Sequence, residues 1–122
     1  MSQIRLNQKS VLDKQMCYEL WVKERKSIYR IPKLLAERGI VNPKTGKYVT
    51  GQAVWNAASK FILENPNLAK SDTVSILSQT GQLLDEHQWG IDMISRAKQF
   101  LGRKKYRAFL AKYPEYKPYA EE

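Results

Sequence analysis

Apolar positions recur at helical spacing over most of the chain. Ile31, Leu34 and Leu35 fall at the three-and-four interval that lines one helix face. Pro32 suits the first turn, where a missing N–H breaks no helical hydrogen bond. Gly39 follows Glu37-Arg38 at the place where helices end in a left-handed residue. Asn42-Pro43-Lys44-Thr45-Gly46-Lys47 then reads as a turn with three breakers and two positive charges. A second helix starts near Thr50, whose hydroxyl can cap the exposed N–H groups. Turning about 100° per residue, it sets Val54, Ala57, Ala58 and Phe61 on one face. Gln52, Trp55, Asn56 and Ser59 fall opposite, with Lys60 flanking.

The flanking segments share the same period. Upstream, Ser10 with Asp13 three residues on has the form of a capping box, and a helix runs from there to about Arg25. Leu12, Met16 and Leu20 form its apolar line, with Trp21 joining the core beside it. Before it, residues 1–9 form a polar arm in which Ile4 and Leu6 alternate with polar neighbours. A short edge strand and an arm that orders on a partner both fit that pattern. Asn65-Pro66-Asn67 interrupts the chain and places a module boundary between 1–66 and 67–122.

Beyond that boundary a helix is expected over about 73–84, with Val74, Leu77 and Leu84 on one face and Ile76 and Leu83 beside it. Gly81 weakens it by roughly 1 kcal/mol relative to Ala. A further helix over about 86–101 uses Ile91, Ile94, Ala97 and Leu101, and Gly102 stops it. Residues 103–113 continue with Tyr106, Phe109, Leu110 and Tyr113 at helical spacing, after which Pro114 and Pro118 end regular structure. The predicted fold is all-α: an N-terminal three-helix helix-turn-helix module, then a helical extension. The extension either completes a common core or pairs with a second copy, and a homodimer is the favoured of the two, because one recognition helix buries little surface.

The polar face of the second helix points to a function. A helix face serving only solubility carries Glu and Lys, whereas this one carries uncharged hydrogen-bonding groups and one large aromatic. Gln and Asn bond bidentately to adenine in a major groove, and Ser serves several base edges. Gln52, Trp55, Asn56 and Ser59 are therefore the candidate base-reading residues, and Arg30, Lys33, Lys44, Lys47 and Lys60 the candidate phosphate contacts. Trp55 has an alternative place, packed against the turn at Tyr48.

The run Ile31…Leu34-Leu35…Glu37-Arg38-Gly39-Ile40, the basic loop through Gly46, then Tyr48…Thr50…Val54 and Asn65-Pro66, resembles the helix-turn-helix of the recombinase domain in large serine recombinases. The likeness spans about residues 27–66. Tyr48 stands where those proteins often carry Trp, and no catalytic domain with a serine nucleophile precedes the motif. The resemblance thus implies DNA binding and not strand exchange.

Charge adds to that picture because it comes in blocks. The net charge is +9. Residues 1–63 carry twelve Lys and Arg against four acids, residues 64–95 one against five, and residues 96–112 seven against none. A polyanion suits two basic blocks through counterion release at phosphates. The simpler explanation, that Lys and Arg keep the chain soluble, predicts interspersed charge. In the second block, Arg96, Lys98, Arg103, Lys104, Lys105 and Arg107 form a secondary basic patch. Tyr106 is available there for stacking on an unpaired base, and an ordinary solvated helix face is the alternative.

Other chemistry is sparse. Cys17 stands alone, which excludes an intrachain disulfide or a Cys-rich zinc site within this sequence and fits a small buried side chain in a reducing compartment. His87 is the one histidine and has no nucleophile near it in sequence. Asp85-Glu86 and Asp92 fit a helix start better than a metal site. Gly46-Lys47 lacks the upstream glycine of a P-loop. No enzymatic activity, cofactor or metal is expected. With no membrane-spanning run and no signal-peptide core, a cytoplasmic, nucleoid-associated protein is expected. The expected function is sequence-selective binding of double-stranded DNA by a small transcriptional regulator of bacterial, phage or mobile-element origin. A DNA-recruiting packaging or recombination subunit and an RNA-binding protein are the alternatives.

Overall fold

The computed structural model describes residues 12–120, in which seven α-helices and no strand occur. The all-α expectation holds. The expected arm or strand at 1–9 and the Ser10 cap lie outside the described residues. The chain divides into two compact units, Met1–Asp72 and Thr73–Glu122.

Helix α1, Lys14–Tyr18, begins at Asp13, whose Oδ1 accepts the Met16 N–H at 3.1 Å. Asp13 is thus the cap itself. The helix widens into a π-helical turn, Glu19–Lys23. A π turn holds more residues per revolution and rotates the next side chains about the axis, so the expected line through Leu12, Met16 and Leu20 is broken. Cys17, Tyr18 and Leu20 are buried, while Leu12, Met16 and Trp21 are partly exposed. The Lys26 N–H bonds back to the Leu20 carbonyl at 2.9 Å, and Arg25 takes the left-handed conformation (φ 59°) that this closure needs.

Helix α2, Ile31–Glu37, carries Pro32 in its first turn and buries Ile31 and Leu35. Gly39 (φ 81°) ends it, and the Ile40 N–H bonds to the Leu35 carbonyl at 2.9 Å. Helix α3, Gly51–Glu64, starts where expected, with Thr50 Oγ1 accepting the Ala53 N–H at 3.0 Å. Both α1 and α2 pack on α3. The Tyr18 ring lies 4.7 Å from that of Phe61, and its hydroxyl donates to Asp72 Oδ2 at 2.7 Å.

Asn65-Pro66 does not end the first unit. Pro66 opens helix α4, Pro66–Ser78, because an N–H in the first turn has no partner within the helix and its absence costs no helical hydrogen bond. Ala69 is buried and Asp72 holds Tyr18, so the start of α4 belongs to the first unit and the division falls inside this helix. Gly81 (φ 77°) does not sit within a helix. It closes the end of α4, with the Gln82 N–H on the Leu77 carbonyl at 3.0 Å. Leu83, expected on an apolar helix face, is 93% exposed.

In the second unit, helix α5, Glu86–Phe100, is capped by Asp85 and leads to helix α6, Arg103–Lys112. Gly102 has φ −71°, so it serves as the N-cap of α6 and not as a left-handed stop for α5. Pro114 starts a 3-10 turn, Pro114–Tyr116, and Pro118 lies in helix α7, Lys117–Ala120. The expected tail is therefore structured. Tyr116 is buried, accepts the Trp89 indole N–H at 2.9 Å and stacks with Phe109 at 5.6 Å. Gly90 lets the Tyr119 ring approach α5 where any Cβ would overlap it. Met93, Ile94 and Ala97 complete the core. Of the apolar line considered for a second copy, Ile94 is buried within the chain, and Ile91 and Leu101 are partly covered.

Candidate nucleic-acid interface

The exposed start of α3 is a consequence of how the helix is packed. Its C-terminal half is enclosed: Ala57, Ala58, Ile62 and Leu63 are all buried. Ser59 precedes Ile62 and Leu63 by three and four residues, so it shares their side of the helix. It is 0% exposed. Ser59 is therefore removed from the base-reading set. Trp55 stands three and four residues before Ala58 and Ser59 and is partly buried for the same reason. Lys60 is exposed on the outer side.

Gln52, Asn56 and the partly buried Trp55 remain. Gln52 is exposed in the first turn, and its Nε2 donates to Asn56 Oδ1 at 2.8 Å. Nε2 carries two hydrogens and only one is used there. The other, together with Oε1, keeps the donor–acceptor edge that matches adenine. Asn56, partly buried, holds that amide in place.

Arg30 and Lys33, at the start of α2, and Lys44 and Lys47, in the loop that leads to α3, are all exposed, and none is joined to a carboxylate of the described residues. Lys14, by contrast, is bound to Glu64 at 2.6 Å. The loop bearing Lys44 and Lys47 is tied into one shape. The Asn42 N–H donates to the Lys47 carbonyl at 2.8 Å, and the Gly46 N–H returns to Asn42 O at 2.7 Å. Asn42 Oδ1 takes the Lys44 N–H at 2.9 Å, and Gly46 supplies the left-handed residue (φ 72°). The whole connection, residues 38–50, is much longer than the turn of about 3–4 residues of a minimal helix-turn-helix.

Tyr29 is absent from the site that the sequence predicts, yet it is 88% exposed. The Ser27 hydroxyl accepts its N–H at 3.1 Å, and the Ser27 carbonyl accepts those of Arg30 and Ile31, which sets the turn ahead of α2. That turn touches the start of α3: a Cβ on Gly51 would lie 3.4 Å from the Ile28 carbonyl. Tyr29 and Arg30 are thus carried near Gln52. Ser27, a turn-forming residue two before Tyr29, is the signal in the sequence for this placement. Tyr48 is also open, at 57%.

The secondary patch is divided. Arg103, Lys104, Lys105, Arg107 and Lys98 are exposed. Arg96 is not a free surface cation. It is half-buried with Nη1 3.7 Å from Met93 Sδ, and burial lowers its pKa against the opposing pull of Asp92. The Tyr106 hydroxyl is buried without a hydrogen-bond partner among the described residues, while the residue as a whole is partly exposed.

Little else has reactive character. Burial, with a lesser push from Asp13, raises the Cys17 thiol from 9.0 to about 11. Burial and then the Asp72 hydrogen bond raise the Tyr18 hydroxyl. His87 packs edge-on to Tyr119 at 5.6 Å. Among the described residues no group of three or more His, Cys, Asp or Glu is placed to hold a metal. No helix there is long and apolar enough to cross a membrane. Comparison with family models, with curated proteins and with solved structures finds no match to this chain.

Proposed function

We propose that this is a sequence-selective double-stranded DNA-binding protein, with the base-reading edge at the start of α3. The reading rests on the exposed Gln52 amide, braced by Asn56, and on the exposed Arg30, Lys33, Lys44 and Lys47 of α2 and the loop before α3, which pair with no carboxylate of the described residues. Gln52 contacts a base edge in the major groove while the loop lysines meet phosphates. Lys60 extends the phosphate contact along α3. The likeness of residues 27–66 to the recombinase helix-turn-helix supports the same partner, although the long 38–50 connection departs from a minimal motif. A small transcriptional regulator is the role that fits best, and a second copy would supply the affinity that one short reading edge lacks.

Selection of bound sequences from random duplexes, and then titration of variants, tests the reading. Gln52→Ala costs roughly 1–3 kcal/mol on the preferred site and little on mixed-sequence DNA. Lys44→Ala or Lys47→Ala weakens all duplexes alike and lowers the salt slope by about one unit. Equal losses on both kinds of DNA in the Gln52 variant reject base reading.

A second reading has its own support, in the exposed rings of Tyr29 and Tyr48. Open aromatics beside cations suit unpaired bases, as in RNA loops. Gel-shift competition among duplex DNA, single strands and structured RNA separates the two.

A further inference from the structure

Helix α6 presents a second surface of different character. At 100° per residue its aromatic residues Tyr106, Phe109 and Tyr113 gather on one side. Phe109 is buried and stacked on Tyr116, and the Tyr106 hydroxyl is enclosed. Partly exposed Leu110 lies at their edge, and the remaining arc consists of Arg103, Lys104, Lys105, Arg107 and Lys112, with Ala108 and Ala111 between them, every one of these seven exposed. No acid occurs from 96 to 112. Arg103, Lys104, Lys105 and Arg107 pair with no carboxylate of the described residues. An outward face made only of cations and alanines repels itself unless a polyanion covers it.

We propose that this face of α6 is a sequence-independent contact for the phosphate backbone of duplex DNA. The choice of partner rests on the duplex reading of the first unit, and the surface itself narrows it. Membrane-surface helices place fully open large apolar or aromatic residues beside their cations, whereas here Phe109 is buried and Tyr106, Leu110 and Tyr113 are each partly covered. Single-strand binders need open rings for stacking, and this arc has none. The small alanines leave the cationic side chains standing clear of their neighbours, and no Gln, Asn, Ser or Thr lies on the arc to read a base. A helix of about ten residues spans about 15 Å, enough to meet several successive phosphates.

The test uses the full chain and a mixed-sequence duplex, the matching single strand, and phosphatidylserine–phosphatidylcholine vesicles. Arg103→Ala/Lys104→Ala/Lys105→Ala/Arg107→Ala should lower the slope of log affinity against log salt by about 3.6, near 0.9 for each phosphate that is no longer neutralised. Its duplex affinity should fall at least tenfold, by the same factor on preferred and mixed sequences. Arg103→Lys/Arg107→Lys should keep the slope, because only charge is used. Lys104→Gln/Lys105→Gln gives about half the drop if the fourfold variant loses its circular-dichroism signal. An unchanged salt slope overturns the proposal, as does a loss confined to single strands or vesicles, or a parent chain that binds no duplex in low salt. Gln52→Ala separates the two readings: selectivity lost only there, with the α6 variants silent, leaves the first unit's role intact. The reverse outcome leaves only α6.

Discussion

Helices α3 and α6 both hold a polar side chain open to solvent in the first turn, Gln52 and Arg103, yet they use it differently. Along α3 the core closes over one side of the helix, burying Ala57, Ala58, Ser59, Ile62 and Leu63 while Lys60 and Glu64 stay exposed. The uncharged part still open is a short edge at Gln52, held by a hydrogen bond to Asn56. Helix α6 is covered on its aromatic side only, and its open arc is long and cationic. An edge held by packing and one hydrogen bond presents donors and acceptors at fixed positions, as discrimination between bases requires. A solvated arc of lysines and arginines presents charge without fixed direction, as attraction to any phosphate backbone requires. Depth of burial therefore separates a candidate reader from a candidate anchor more clearly than composition does.

The strongest way to break the comparison is to unfold one region and watch the other. Ile31→Ala in the first unit and Met93→Ala in the second each remove a fully buried side chain and should cost about 2–5 kcal/mol. Amide hydrogen exchange should then lose protection in α2 and α3 for the first variant, and in α5 and α6 for the second. Equal loss throughout both variants would mean one cooperative core, and the contrast between the helices would then be only local.

Cys17 gives a smaller but sharper probe, because it reports on the first unit alone. With its thiol raised from 9.0 to about 11, the folded chain holds about 100-fold less thiolate at pH 8 than the unfolded chain. Labelling by a thiol-specific reagent should be slower by at least that factor without denaturant. Met93→Ala should leave this protection in place. A raised thiol pKa contributes stability that is complete below pH 9.0 and lost as pH passes about 11. The raised Tyr18 hydroxyl acts in the same direction at still higher pH. Denaturation of the Cys17→Ala variant between these limits should show a shallower alkaline decline than the parent.

The smallest effect concerns how helix ends close in each unit. Arg25 and Gly81 both occupy left-handed positions, at φ 59° and 77°. A residue with a Cβ is disfavoured there by roughly 1 kcal/mol relative to glycine. Arg25→Gly should thus raise the thermal midpoint slightly, and Gly81→Ala should lower it by a similar amount. A fall in the Arg25→Gly variant would indicate that the arginine side chain contributes more than its backbone strain costs.

Much of the architecture is legible from spacing and caps. Thr50, Gly39 and the apolar positions Ile31, Leu35, Val54, Ala57 and Ala58 mark α2 and α3 because their signals are local: a hydroxyl one turn from an N–H, a residue tolerant of positive φ, a three-and-four interval. Helices α5 and α6 are legible for the same reason. Prolines are harder. Pro66, Pro114 and Pro118 read as breaks along the sequence, but each lies in the first turn of a helix or 3-10 turn, where proline is equally at home. Sequence spacing does not separate a stop from a start.

An all-helical chain with basic blocks around an acidic stretch follows from periodicity and charge, which are properties of neighbours along the chain. Which polar groups face outward depends instead on packing between segments. Ser59 and Gln52 have the same polar character in a helical projection. One is sealed beside Ile62 and Leu63, and the other stands open at the helix start. The bond from Tyr18 to Asp72 and the fit of Tyr119 over Gly90 are likewise tertiary. Each depends on the distant segment that the fold brings alongside, and a projection of one helix holds no record of its neighbours.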